Sequence, residues 1–465
     1  MTAPRIAVRA IDLFERPTPL RIPFKFGATT LTRAPQVFVR AEVSIDGKVA
    51  TGMAAELLAP KWFDKNPALT NEENFDQLRA SLRGARRLYI DHGEAASAFA
   101  LHAVVYPAHY AAAAAMELNG LIASYGMALI DRAVLDALCR GAGASVFAAL
   151  GANLPGITAE LTPDLAADTL AGFLAGRRLP EAIFARHTVG MADPLTDDDI
   201  VEPLEDGLPQ SLTAVIATYG NRYFKLKVGA DIAASVDHLV RIAAVLDRVT
   251  PDYRVTLDGN EQFADAAGVA ALFDRIAATS ELERLWASTL FVEQPIARDR
   301  ALSEPVEALA RRKPLVIDES DADLESFRRA RGLGYAGVSA KTCKGVYRAL
   351  INAARAATDT GCFVTAEDLT VQPGIALQHS LALAALVGAG HIEVNGHHFV
   401  GGFAGASTAE QARFVAAHPD LYRLDGPHAR VRISDGRIAL ASLPVPGLAV
   451  ACEPDWDTMQ AMAAA

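Results

Sequence analysis

Two lysines one residue apart, Lys225 and Lys227, sit in the apolar run YFKLKVGAD (223–231). Side chains alternate across a β-strand, so residues i and i+2 share a face. If that face is solvated, the pair is two surface charges. If it points into a barrel mouth, two crowded ammonium groups need carboxylates or an anionic ligand beside them. Carboxylates occur at matching places further on: Asp258 ends YRVTLD, Glu293 lies in TLFVEQP, and Asp318 with Glu319 lies in PLVIDES. A further lysine, Lys341, ends YAGVSAK. Each of these residues closes a short apolar run rich in β-branched residues.

Three carboxylates brought to one half-buried point cannot all stay ionised without a counterion. An oxygen-only set with no His or Cys suits a hard divalent cation, Mg²⁺ or also Mn²⁺. A substrate carboxylate chelated to such a cation has its α-proton acidified, because charge developing on the enediolate oxygens lies next to the metal. Asp258, Glu293 and Asp318 are the candidate ligands. A lysine with an ordinary pKa of about 10.4 is too basic to act as a free base at neutral pH. A neighbouring ammonium and partial burial lower that value, which assigns Lys225 as the positive neighbour of Lys227. Lys341 lies about four strands round a barrel and approaches the substrate from the opposite side.

The elements that must hold these groups are short strands alternating with helices. TVGMAD (188–193), YFKLKV, YRVTLD, TLFVEQP, PLVIDES, YAGVSAK, CFVTAED (362–368) and HIEV (391–394) make about eight β/α units, the number of a closed parallel barrel. A doubly wound sheet also alternates in this way. However, no GxGxxG follows a first strand, and the charges recur at many strand ends rather than at one crevice. Residues 1–184 read as an α+β domain, with strands at 5–15 and 36–45, a DGK turn at 46–48 and helices behind them. The turn-rich stretch between those strands is expected to be a mobile loop. Residues 185–410 are assigned to the barrel, and 411–465 to a segment completing the N-terminal cap.

KLKVG (225–229), LDGNEQF (257–263), VEQPI (292–296), VIDES (316–320) and GVSAKTCKG (337–345) together resemble the enolase superfamily, in its muconate-lactonizing and dipeptide-epimerase branch. The resemblance implies a modified TIM-type barrel under a capping domain. It also implies Lys227 and Lys341 as opposing acid/bases, Lys225 as neighbour, and Asp258, Glu293 and Asp318 as Mg²⁺ ligands. PFKFGATTLTRA (23–34) and the region 55–67 correspond to the family's loops over the barrel mouth. LDGN stands where Asp-Ala-Asn is more usual, and TCKG where many relatives carry two glycines.

Other residues invite weaker readings. Glu319 should point away from Asp318 and orient a lysine or backbone group rather than bind metal. Glu367 and Asp368 suit substrate contact or helix capping equally. Lys344 reads as a helix-start charge, His379 as a packed core histidine, and the histidine-rich run 390–402 as structural. Trp62 and Phe63 are candidates for covering an apolar part of a substrate.

Composition excludes several classes. The formal charge of −11 and the lack of any Lys/Arg block leave no footprint for nucleic acid. Four scattered cysteines form no zinc or CxxC spacing. The N-terminus does not resemble a signal peptide and no run is long enough to span a membrane, so a cytoplasmic protein is expected. The expected partners are a small-molecule carboxylate and further copies of the chain. The leading function is racemisation or epimerisation of an amino-acid derivative or dipeptide. Cycloisomerisation and a dehydratase or o-succinylbenzoate-synthase-like elimination are the alternatives, and a metal-stabilised binding protein is the non-enzymatic one.

Overall fold

The computed structural model describes residues 3–26, 29–250, 252–426 and 428–462. The N-terminal region opens on an antiparallel meander of β1 (Ile6–Phe26), β2 (Thr29–Ile45) and β3 (Lys48–Leu57), and the short β4 (Glu94–Ala95) pairs with the start of β1. The stretch expected to be a loop is instead the far end of the β1–β2 hairpin, paired from Phe24↔Leu31 to Phe26↔Thr29, while 27–28 lie outside the described residues. Prolines misled the reading. Pro17 lies opposite Pro35 in the β1–β2 ladder, and a register shift falls between Pro19 and Phe24. Irregular pairing of that kind accommodates a missing N–H.

Three helices follow: α1 (Asn71–Asp91) and α3 (Gly120–Gly141) pack on the meander, and α2 (Ala98–Ala115) packs against both helices. Helix α1 starts at a capping box in which Thr70 and Glu73 satisfy each other's backbone N–H. Helix α3 is buried almost throughout and lies so close to β3 that only glycine fits at position 52. A Cβ there would come within 2.1 Å of the Ala133 carbonyl oxygen and 2.2 Å of the Ala137 nitrogen. Both are helix backbone atoms that cannot yield. Gly52→Ala is therefore expected to cost about 1–3 kcal/mol or more, read as a lowered midpoint of urea unfolding. An unchanged midpoint would show that the sheet and helix can separate freely.

Eight parallel strands follow in sequence order: β5 (Ala182–Val189), β6 (Tyr223–Lys227), β7 (Arg254–Asp258), β8 (Thr289–Glu293), β9 (Leu315–Ile317), β10 (Gly337–Ala340), β11 (Phe363–Glu367) and β12 (His391–Glu393). Pairing of β12 with β5, from His391↔Phe184 to Glu393↔Arg186, closes the barrel. The first barrel strand thus ends at Val189, the second residue of the run TVGMAD expected to form it. The barrel interior carries Arg186, which precedes the first strand expected from the sequence; it is fully buried, donating to Glu367, Thr365 and a ring nitrogen of His391. Two pieces of the C-terminal region join earlier strands. Arg437–Ala439 runs antiparallel to the start of β5, and Gln460–Ala461 pairs with Phe14 and Glu15 of β1. Among the described residues, no helix is long and apolar enough to cross a membrane.

Candidate active site

The barrel register brings the charged groups to one level. Lys227 lies beside Asp258, and Asp258 beside Glu293, in consecutive ladder positions. Across the barrel, Glu367 lies beside Glu393, and Glu393 beside Arg186. This level is the C-terminal end of the barrel, where residues from separate strands converge. The six residues singled out in the sequence all reach it.

Lys225 sits at the centre. Its ammonium lies 3.0 Å from Asp258, 3.0 Å from Glu293, 2.9 Å from Glu367 and 2.8 Å from Glu393. Burial alone would favour its neutral form, but these four carboxylates hold its pKa well above the usual lysine value. Lys225 is thus a counter-charge to the whole cluster as well as a neighbour of Lys227. Lys227 donates to Asp258 and to Asn260 Oδ1, each at 2.6 Å. Lys341 donates to Asp318 and Glu367, each at 2.6 Å, and its ammonium lies 4.9 Å from the centre of the Trp62 ring. Burial opposes its charge too, but Asp318 and Glu367 raise its pKa well above the ordinary value.

The carboxylates divide by how well they are satisfied. Glu367 accepts from Arg186, Lys225 and Lys341, and despite burial these cations pull its pKa well below the usual range. Neither oxygen of Glu293 meets a donor in hydrogen-bond geometry, even with Lys225 3.0 Å from Oε2. Burial, and then the charge of Glu367, push the Glu293 pKa well up. Asp318 Oδ1 also lacks a hydrogen bond. Buried acceptors without donors are costly in a native structure, and a cation is the partner that would satisfy them. Glu293, Asp318 and Glu367 form a buried group whose oxygens lie within 4.8 Å of one another, the one such trio among the described residues. This Glu/Asp/Glu cluster is suited to a divalent ion. The trio shares Glu293 and Asp318 with the set expected from the sequence; the Asp258 carboxylate faces Lys225 and Lys227.

The weaker readings resolve one by one. Glu319 turns from Asp318 toward Asn260 Nδ2 and Lys65, at 3.4 and 3.5 Å. Lys344 is no helix-start surface charge: it is buried behind the site, donating to the Asp318 and Ser339 carbonyls at 2.7 Å and lying 2.9 Å from Asp318 Oδ1. Asp368 accepts from the backbone N–H groups of Thr370, Asn395 and Gly396, while burial and the charge of Glu393 push its pKa up to about 7. His379 is packed against Arg132, and His397 and His398 are buried in the short helix after β12. The role of Glu367 was missed, although its place at the end of the seventh strand run matched that of the other acids.

A cavity opens on this cluster between the barrel mouth and the cap. Lys225, Lys227, Asp258, Asp318, Lys341, Asp368 and Glu393 contribute its polar wall. Its apolar wall comes mainly from the cap: Phe24, Leu31, Leu57, Ala59 and Trp62, with Leu369 from the barrel. Phe63 turns away, packing edge-on against Trp62 and Tyr125.

A capped β/α barrel with buried carboxylates and lysines at its mouth defines a class of metal-dependent isomerases and lyases. The family described as "Enolase C-terminal domain-like" matches residues 208–456, more than half of the chain. The chain belongs to the enolase superfamily, in its mandelate-racemase/muconate-lactonizing branch. No curated protein matches it in sequence. Among solved structures, an enolase from Bradyrhizobium complexed with magnesium and mandelic acid is similar over 99% of both chains, at 16% identity and a TM-score of 0.62. A muconate lactonizing enzyme from Pseudomonas fluorescens complexed with muconolactone matches 96% of this chain and 97% of its own, at 16% identity and a TM-score of 0.58. A mandelate racemase/muconate lactonizing enzyme from Roseiflexus sp. is 21% identical over 86% of this chain and 91% of its own, with a TM-score of 0.54. At these identities the likeness concerns the fold.

Proposed function

We propose that the protein is a Mg²⁺-dependent racemase or epimerase acting at the carbon α to a carboxylate, with an amino-acid derivative or dipeptide as substrate. The observation that carries this reading is the pair of lysines at the cavity, Lys227 ending β6 and Lys341 just past β10, four strands apart in a barrel of eight. Two acid/base groups diametrically placed suit removal of a proton from one face of a carbon and its return to the other.

Asp258, Glu293 and Asp318 are the proposed ligands. Glu367 is already engaged by three cations, so it serves better as the counter-charge that fixes Lys225 and Lys341. A divalent ion on these ligands would draw charge from the substrate carboxylate and acidify its α-proton. Lys227, steadied by Asn260, takes or returns the proton on its side; Lys341 would do so on the other once a divalent ion engages Asp318, whose carboxylate otherwise helps to hold its ammonium charged. Asp368 and Glu393 offer acceptors for a substrate N–H, and Trp62, Leu31 and Leu57 receive an apolar side chain. Cycloisomerisation and elimination use the same lysines with one face dominant.

The test is incubation in D₂O with Mg²⁺ and a panel of N-acylamino acids, dipeptides and acid sugars, followed by NMR. Deuterium entering the α-position of an acylamino acid or dipeptide, together with inversion at that carbon, is the expected result. Exchange without inversion, or loss of water from an acid sugar, would replace the racemase reading with a one-faced reaction.

A further inference from the structure

We infer that Arg298 is a positioning residue that latches the cap segment 60–66 onto the barrel and thereby sets both proposed acid/base lysines at once. The inference rests on the acid/base reading above for its catalytic consequence, but the latch itself is a matter of geometry. Arg298 follows β8 by five residues and is three-quarters buried. One nitrogen donates to the Trp62 carbonyl and another to the Phe63 carbonyl, both at 2.8 Å. The same guanidinium grips both oxygens of Glu261, at 2.7 and 2.8 Å, and its backbone N–H donates to Glu261 Oε1 at 2.8 Å. A planar fork donating in two directions is a task for arginine that lysine cannot reproduce.

The held segment touches the site at two points. The Trp62 ring lies over the Lys341 ammonium, a cation–π contact that desolvation strengthens. Three residues on, Lys65 donates to the Asn260 carbonyl at 2.8 Å and forms an ion pair with Glu261. Asn260 in turn accepts from Lys227 through Oδ1. One cap segment is therefore joined to Lys341 through Trp62 and to Lys227 through Lys65 and Asn260, with Arg298 and Glu261 between.

The backbone supports the same conclusion. Lys61, Asn260 and Glu261 all adopt positive φ, at 60°, 40° and 68°. Non-glycine residues stay in that left-handed region only where their surroundings over-determine them, and such sites cluster at ligand clamps. Here they occur on the two facing loops that Arg298 joins. Asn119 at the start of α3 also donates to the Phe63 carbonyl at 2.8 Å, so the cap side of the latch is anchored independently.

The experiment uses the full-length chain with Trp286 and Trp456 changed to phenylalanine, leaving Trp62 as the sole tryptophan of the three. In this background Arg298→Met and Arg298→Lys are both expected to red-shift Trp62 emission and raise its quenching by acrylamide. Each should lower kcat by about 10- to 100-fold, the scale of a misplaced catalytic group, with little change in KM. Lys65→Met, at a partly exposed position that the fold tolerates, should slow only proton exchange that depends on Lys227. Trp62→Phe should slow only exchange that depends on Lys341. Unchanged Trp62 emission and quenching in Arg298→Met and in Lys65→Met would overturn the latch. So would full activity in Arg298→Lys, or equal loss on both sides in Lys65→Met. If Lys227 and Lys341 prove dispensable for exchange, the functional reading fails while the fluorescence result still decides whether the segment is latched.

Discussion

Replacement of Lys227 by alanine is expected to stop α-proton exchange from one enantiomer of a true substrate while exchange from the other continues through Lys341. Lys341→Ala should show the reverse. Net racemisation should vanish in both, because each direction needs a proton taken on one side and given on the other. Loss of a positioned acid or base costs about 10²–10⁴-fold, an effect easily resolved by following deuterium incorporation by NMR for each enantiomer with each variant. In a one-faced elimination or cycloisomerisation only one lysine would exchange protons, and the other would act as a cation beside the developing negative charge. Full activity in both variants would return the lysines to charge balance, a role the structure already shows for Lys225 among its four carboxylates.

Removal of divalent metal is the second large effect. Dialysis against EDTA should abolish turnover, and Mg²⁺ should restore it. Glu293→Gln keeps the volume and removes a charge from a carboxylate that has no hydrogen-bond donor, so the fold should survive while metal affinity falls by at least about tenfold. Asp258→Asn should weaken metal binding similarly. Glu367→Gln should leave metal affinity nearer to that of the parent while disturbing Lys225 and Lys341, since its oxygens are engaged by Arg186 and both lysines. Isothermal titration with Mg²⁺ separates these outcomes. The greatest loss in Glu367→Gln, with Asp258→Asn unaffected, would move the ligand set to Glu293, Asp318 and Glu367. Turnover that persists without metal would reject the mechanism.

The barrel and the six candidate residues were legible because a parallel barrel repeats one local pattern, and charges ending successive apolar runs must meet at one end of it. Arg186 shows where that logic stops. It was not singled out, because the partners that let a charge lie inside β5, Glu367 and His391, are far away in sequence. Lys344 is similar, its burial decided by the Asp318 and Ser339 carbonyls that fold around it. The long β1–β2 hairpin was hidden by prolines, which report local backbone preference and not the partner strand. The region 55–67 was expected over the barrel mouth, but nothing local links Trp62 to Arg298 or Lys341, so those contacts could be read only from the folded chain.

The pairing of Gln460 and Ala461 with Phe14 and Glu15 has a consequence for how the molecule is made. During synthesis the first strand emerges early, yet this part of its outer edge waits for a partner near residue 460 until the entire barrel has been translated. An unpaired strand edge invites pairing with a neighbouring chain. The nascent protein therefore carries an adhesive edge until residues 460–461 have been made, and their arrival covers it.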